Sequence, residues 1–182
     1  VTIKTAQTID GKIADEKLNS KWISSLRSRR LVHTMRASYD AVLVGSNTVK
    51  YDDPELTVRL SKGRNPYRIV IDGKLSSPLN RKVFSDRNTN KTILVTSALA
   101  DRQKLRILKR RKIKIITCGN HKGIINIKEA LKKLSELGII SIIVEGGGKT
   151  YSEFIKKGLT DEFMIFIALR IMGKGIEAFT HP

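Results

Sequence analysis

The chain has 182 residues, which is enough for one folded domain with a substantial core. With 40% apolar and 29% charged residues, 13 Gly and 4 Pro, its composition excludes disordered, collagen-like and disulfide-stapled chains. The formal net charge of +18 predicts a basic surface that attracts phosphate-bearing partners of any size. We therefore expect one globular domain over residues 1–182, either alone or as the C-terminal part of a longer chain.

Cysteine content and hydropathy bear on the compartment. The single cysteine, Cys118, has no second cysteine with which to form an internal disulfide, and this favours a reducing, cytoplasmic setting. The segment Val1–Ala14 is polar throughout and lacks the apolar core of a signal peptide. No run approaches the roughly 18 apolar residues of a membrane span, so we expect no membrane partner.

Short β-branched runs recur along the chain and predict strands. Segments with helical spacing lie between several of them, and this alternation is typical of an α/β domain with a largely parallel, buried sheet. The predicted strands are Val1–Thr5, Ala41–Val44, Arg68–Ile71, Thr92–Val95, Ile113–Thr117, Ile139–Val144 and Phe163–Ala168.

Three helices are predicted from capping residues and spacing. Asn126 and Glu129 form a capping-box pattern, and Gly138 provides the left-handed stop of the same helix. Ser24 or Ser25 caps an earlier helix. That helix is predicted to turn Leu31, Val32 and Met35 inward and to leave Arg27, Arg29 and Arg30 in solvent. The third helix is predicted over residues 148–157.

The run Ile139–Ser152, IISIIVEGGGKTYS, is a buried strand followed by three glycines and a helix. Glycines let backbone N–H groups approach a ligand closely, and a helix N-terminus adds unpaired donors, so the run predicts an anion site. The alternative is a turn that only permits tight packing. Neither a Walker A loop nor the GxGxxG dinucleotide pattern fits these letters. Glu145 lies at the carboxyl end of the strand, where α/β sheets present functional groups.

A second polar cluster lies in Ala41–Arg59, AVLVGSNTVKYDDPELTVR. The adjacent carboxylates Asp52 and Asp53 can accept hydrogen bonds from sugar hydroxyls, and Arg59 offers a bidentate fork for phosphate. The alternative for Asp-Asp-Pro is a turn that bonds only to itself.

Other functional patterns are weak. The three histidines and one cysteine have no metal-ligand spacing, so we expect no metal, and no nucleophile motif is present. The basic stretch Arg102–Lys114 contains no aromatic residue for base stacking, which favours a solvated helix face over nucleic-acid binding.

Taken in order, five blocks resemble one known family over nearly the whole chain. The blocks are KTAQTIDGKIA (4–14), SKWISS (20–25), MRASYDAVLVGSNTVKYDDPELTVR (35–59), NPYRIVID (65–72) and VEGGGKTYSEF (144–154). They resemble the reductase domain of riboflavin biosynthesis, which forms the C-terminal half of bacterial bifunctional deaminase/reductases and also occurs as stand-alone reductases. The resemblance implies a dihydrofolate-reductase-like α/β fold with a mixed, mostly parallel sheet, NADPH as cofactor, and a homodimer formed through the reductase domain.

The resemblance also implies a set of site residues. The NADPH site would be lined by Ala6, Trp22, Thr48, Asp52, Gly147, Gly148, Lys149, Thr150, Tyr151, Ser152 and Glu153. The phosphorylated ribosylaminopyrimidine would be held by Ser20, Arg36, Leu56, Arg59 and Glu145.

The implied reaction is reduction of a ribosylamino group to a ribitylamino group. We expect Lys4 and Glu145 to act at the ribose, because both lie on strands that end at one crevice. The substrate carries either the amino or the deaminated pyrimidine ring. The deaminase signature HxE with PCxxC is absent. Two alternatives are a reductase of the same fold that acts on a pterin and a basic RNA-binding module.

Overall fold

The computed structural model describes residues 1–20, 23–120 and 122–179. The strands are β1 (Thr2–Thr8), β2 (Lys12–Ala14), β3 (Ala41–Gly45), β4 (Tyr67–Ile71), β5 (Thr92–Thr96), β6 (Lys114–Thr117), β7 (Ile142–Gly146), β8 (Glu162–Ala168) and β9 (Ile176–Glu177). The α-helices are α1 (Leu26–Ser38), α2 (Ser46–Asp52), α3 (Lys82–Ser85), α4 (Arg102–Arg110), α5 (Ile127–Ser135) and α6 (Gly148–Lys156).

Seven strands form one sheet in the order β6-β5-β4-β3-β7-β1-β8. Every strand pair in that sheet is parallel, as in β1 with β8, where Thr2 faces Glu162 and Thr8 faces Ala168. Antiparallel pairing between the described strands is confined to a separate ribbon of β2 and β9. The prediction of a mostly parallel α/β sheet is therefore confirmed.

The sheet is covered on both faces, which explains why its central strands are apolar throughout. On one face, residues such as Leu43 and Val144 pack against Ala130 and Leu134 of α5 and Phe154 of α6. The other face packs against α1, α3 and α4. Its buried residues include Met35, Val42, Val70, Phe84 and Leu108. Strands β3 and β5 are buried at every position, as expected for parallel strands between two helical layers.

Local capping agrees with the sequence in two helices. Asn126 Oδ1 accepts the Glu129 N–H at the start of α5, and Ser25 Oγ accepts the Ser28 N–H at the start of α1. The orientation predicted for α1 was partly wrong. Leu31 is half exposed, because the helix turns Val32, His33 and Met35 towards the sheet instead.

Candidate active site

A cavity of about 1050 Å³ opens at the carboxyl ends of β1, β3, β4 and β7. The parallel register brings these four strand ends to one edge of the sheet. Of the predicted site residues, the cavity wall contains Lys4, Ala6, Ser20, Arg36, Thr48, Asp52, Arg59, Glu145, Gly147, Gly148, Lys149, Thr150, Tyr151 and Glu153. The predicted cofactor and substrate residues therefore share one continuous cavity.

A buried ion pair lies at the centre of this wall. Arg36 on α1 donates from Nε to Glu145 Oε1 (2.7 Å) and from Nη2 to Glu145 Oε2 (2.8 Å). The two side chains are 11% and 6% exposed. Burial by itself raises the pKa of Glu145, but the Arg36 guanidinium outweighs it and lowers that pKa to about 2. Glu145 is therefore an ionised hydrogen-bond acceptor at neutral pH.

Lys4 lies beside this pair on the neighbouring strand. Burial lowers the pKa of Lys4; Glu145 acts in the opposite direction and Arg36 adds to the lowering. Its Nζ lies 5.7 Å from the centre of the Phe166 ring, and its carbonyl oxygen accepts a hydrogen bond from Tyr151 Oη (2.9 Å). A lysine with a lowered pKa gives up its proton more readily than one in water.

The loop that follows α2 carries the second arginine. Arg36 Nη1 donates to the Thr57 carbonyl oxygen (3.0 Å), and Arg59 Nη1 donates to Thr57 Oγ1 (2.8 Å) and Glu55 Oε2 (2.9 Å). These three bonds of Arg36 use three of its five N–H groups, so two others are available to an anion in the cavity. The guanidinium groups of Arg36 and Arg59, which both line the cavity, thus share Thr57 as a hydrogen-bond partner.

Arg68 supports the same loop from beneath. It is almost fully buried and makes an ion pair with Asp86 (2.6 Å), and its Nη1 also donates to the Glu55 carbonyl oxygen (3.1 Å). Thr92 Oγ1 accepts from both Nε and Nη2. A buried arginine with this many partners fixes backbone position rather than binding a ligand.

The glycine run forms the start of α6. Gly147 is the N-cap residue and makes no side-chain capping bond, and residues 147–150 at the start of the helix line the cavity. A Cβ at Gly45 would clash with Thr150 Oγ1, and one at Gly148 would lie 2.8 Å from the Glu177 carbonyl oxygen. Glycine is therefore needed where β3, β9 and α6 meet, and the open helix start is a site for an anion.

Two further polar residues stand next to that helix start. Thr48 Oγ1 would lie 3.4 Å from a Cβ placed on Gly147. At the end of α2, Asp52 Oδ1 accepts a hydrogen bond from Ser20 Oγ (2.7 Å). The predicted cofactor residue Asp52 and the predicted substrate residue Ser20 are thus in direct contact.

Three predicted residues are not placed on the cavity wall. The Leu56 side chain is buried in the core cluster with Val42 and Val70, and Ser152 Oγ donates to the Gly148 carbonyl oxygen within α6. Their side chains are therefore used for packing and helix bonding. Trp22 lies outside the described residues.

The cavity also contains residues that sequence reasoning missed. Arg29 and His33 lie on the same face of α1 as Arg36 and line the wall, whereas Arg29 was predicted to remain in solvent. Helical spacing from Arg36 back to these two residues is the signal that could have found them. Gly73 and the segment 123–125 also line the cavity and form an apolar wall. That wall depends on contacts between distant segments, which no local pattern shows.

Features outside the cavity fit structural roles. None of the residues of α4 lines the cavity. Two basic side chains of this region stabilise the fold instead: Lys104 Nζ in α4 donates to the Leu75 carbonyl oxygen, and Arg111 Nη1 just after the helix donates to the Leu79 carbonyl oxygen. Over residues 1–20, 23–120 and 122–179, no three His, Cys, Asp or Glu side chains are grouped as metal ligands. Within the same residues, every helix is too short or too polar to cross a bilayer.

Comparison with known proteins finds one matching family model and several similar sequences. The family model for the RibD C-terminal domain matches residues 1–181. The riboflavin biosynthesis protein RibD of Aquifex aeolicus is 42% identical over 177 residues, which cover 97% of this chain and 48% of that protein. The Archaeoglobus fulgidus 2,5-diamino-6-ribosylamino-4(3H)-pyrimidinone 5′-phosphate reductase is 32% identical over 176 residues, covering 91% of this chain and 78% of that one.

Solved structures agree with the fold. A Thermotoga maritima diaminohydroxyphosphoribosylaminopyrimidine deaminase/5-amino-6-(5-phosphoribosylamino)uracil reductase has a TM-score of 0.80 and 35% identity, covering 100% of this chain and 48% of that one. The predicted dihydrofolate-reductase-like fold is confirmed. The chain spans about half the length of the RibD relatives that it matches.

Proposed function

The chain belongs to the RibD C-terminal domain family, and we propose that it uses NADPH to reduce the ribosylamino group of 5-amino-6-(5-phosphoribosylamino)uracil to a ribitylamino group. The observation that carries the proposal is one cavity that joins an uncapped glycine helix start to the Lys4, Glu145 and Arg36 cluster. One end suits the phosphates of a dinucleotide, and the other suits a phosphorylated sugar.

The residues present fit a nicotinamide dinucleotide. Gly147 leaves space at the start of α6 for a pyrophosphate, and Thr48 stands beside it as a hydroxyl donor. The apolar wall at Gly73 and residues 123–125 suits an adenine ring. When bound, NADPH supplies a hydride.

The chemistry needs one ring opening and one hydride transfer, and each is accompanied by a proton transfer. Opening the furanose breaks the bond between C1 and the ring oxygen, moves a proton from the exocyclic nitrogen to that oxygen, and leaves a C=N bond. Saturation then needs a hydride at carbon and a proton at nitrogen. Lys4, with its lowered pKa, serves as the proton donor, while ionised Glu145 accepts hydrogen bonds from the ribose hydroxyls. Arg36 and Arg59 bind the 5′-phosphate.

The function is tested by calorimetry with NADPH, followed by the phosphorylated ribosylaminopyrimidine, and by NADPH oxidation at 340 nm. The proposal expects saturable NADPH binding and oxidation that requires the 5′-phosphate. If the protein oxidised NADPH with an unphosphorylated pterin as substrate, pterin reduction would replace the proposed function. RNA binding with steep salt dependence, together with no affinity for NADPH, would overturn the proposal. The Archaeoglobus relative is named for the diamino form of the pyrimidine. Assays with the amino and the deaminated pyrimidine therefore identify which ring this chain accepts.

Gly147→Ala is expected to weaken NADPH binding by about tenfold, because its methyl group occupies the space in which a phosphate would approach the start of α6. The fold should tolerate the change, since the added Cβ lies no closer than 3.4 Å to Thr48 Oγ1. Calorimetric Kd values for NADPH and the midpoint of thermal unfolding check this. An unchanged Kd would place the pyrophosphate elsewhere.

A homodimer through the sheet edge is part of the proposal. Strand β8 is the edge of the seven-stranded sheet, and Phe163, Ile165 and Ile167 expose apolar side chains along one of its faces. The row continues with Leu169 and Ile171, which are 92% and 77% exposed. A long apolar edge strand of this kind is costly in water and favours pairing with a second copy of the chain.

Ile165→Lys is expected to convert the dimer into a monomer at micromolar concentration, because it places a charge in the apolar row. Sedimentation velocity measures the change. Ile140→Lys is the matched control, since Ile140 is 85% exposed but lies outside β8. If Ile165→Lys sedimented as the same dimer as Ile140→Lys, this sheet edge would be excluded as the interface.

A further inference from the structure

His33 joins helix α1 to the loop that carries Arg59. Its side chain is buried, and the residue is 6% exposed. The backbone N–H of Arg59 donates to His33 Nδ1 at 2.8 Å, and the N–H of Leu60 approaches the same atom at 3.4 Å. A bond between residues 26 positions apart in sequence fixes the loop against the helix.

The imidazole is held in one protonation state. Because Nδ1 accepts, the proton of the neutral ring is on Nε2. Burial, followed by the charges of Arg36 and Arg59, lowers the pKa of His33 to about 4. A protonated ring would lose its acceptor, so the neutral state keeps the bond to Arg59 intact around neutral pH.

The bond acts on the part of the loop nearest the cavity. Arg36 holds this loop through the Thr57 carbonyl oxygen, and the Arg59 guanidinium bonds to Thr57 and Glu55. The backbone of Arg59 itself is fixed to α1 by His33. We propose that His33 is a positioning residue, which sets the Arg59 backbone so that its guanidinium meets the substrate phosphate. This inference rests on the proposed function, in which the cavity binds a phosphorylated sugar.

Two variants separate positioning from packing. His33→Leu keeps the apolar volume and removes the acceptor, whereas His33→Asn places an amide oxygen near the position of Nδ1. Ribose 5-phosphate is the probe, with ribose and NADPH as controls, and calorimetry gives each Kd. We expect His33→Leu to bind ribose 5-phosphate about tenfold more weakly with little change for ribose or NADPH, and His33→Asn to recover most of the loss. In turnover, KM for the phosphorylated substrate should rise while kcat stays within a factor of about two.

The outcomes distinguish this inference from the proposed function. If the wild type does not bind ribose 5-phosphate, the proposed function fails at its substrate site. If the wild type binds and His33→Leu binds equally well, or if ribose and NADPH weaken equally, the positioning role is overturned. Nitrogen-15 NMR of the wild type needs no variant to fold: a proton on Nε2 and none on Nδ1 supports the bond, and a proton on Nδ1 excludes it.

Discussion

Lys4→Met is expected to lower kcat by about 10²- to 10⁴-fold while NADPH affinity changes little, the range ascribed to a positioned proton donor. Methionine keeps an unbranched apolar side chain and removes the ammonium group, whose Nζ lies 5.7 Å from the centre of the Phe166 ring. Because the proposed role of Lys4 is proton donation and the proposed phosphate site is the backbone at the start of α6, the loss should appear in turnover rather than in cofactor binding. Stopped-flow NADPH oxidation and calorimetry measure the two effects separately.

Stability provides the internal control for this variant. The folded-state pKa of Lys4 lies below its ordinary value of 10.5, so burial of Lys4 costs stability at neutral pH, and this cost is lost as the pH rises from the folded pKa to 10.5. Removing the charge should therefore not lower the thermal midpoint at neutral pH. Lys132→Met, an exposed lysine on α5, is the matched substitution. If Lys4→Met turned over at near the wild-type rate, Lys4 would have no part in proton transfer.

The sheet was predictable because each of its strands contains a local run of apolar residues. Parallel strands between two helical layers must be apolar at nearly every position, and the sequence alone shows that runs such as Ala41–Val44 meet this condition. The same rule misled at the start of β7: Ile140 belongs to an apolar run yet lies in solvent before the strand begins. The two-residue strand β9 is too short to carry a pattern, and it forms only by pairing with β2, more than 160 residues away.

Site residues were predictable where the residue type indicates a functional role, and not where that role depends on contacts between distant segments of the fold. Glu145 stands out because a carboxylate ends an apolar strand, and the glycines that follow mark a helix start. Nothing in the sequence distinguishes His33 from other histidines on helices, because its partner is the backbone N–H of the distant Arg59. Arg29 looks like a solvated charge for the same reason, since only the packing of α1 turns that face into the cavity.

The ion pair of Arg36 and Glu145 is expected to serve both stability and substrate binding, and a double-mutant cycle of Arg36→Met, Glu145→Gln and the double variant separates the two roles. Arg36→Met leaves Glu145 buried without its cation, so it should cost about 3 kcal/mol of unfolding free energy at neutral pH and about 100-fold or more in kcat/KM. Adding Glu145→Gln removes the stranded charge. The double variant should therefore regain much of the stability while its activity stays low.

The pH dependence gives a second, independent readout, with a defined sign. In the wild type, the pKa of Glu145 is about 2 when folded against 4.5 as the reference, so the pair contributes stability above 4.5 that is lost as the pH falls towards 2. Without Arg36, burial raises the pKa of Glu145, and protonation relieves the unpaired charge instead. The stability deficit of Arg36→Met should therefore shrink on acidification, as followed by urea unfolding across that range. A deficit independent of pH would mean that the loss comes from packing alone and that Glu145 does not need Arg36 to stay ionised.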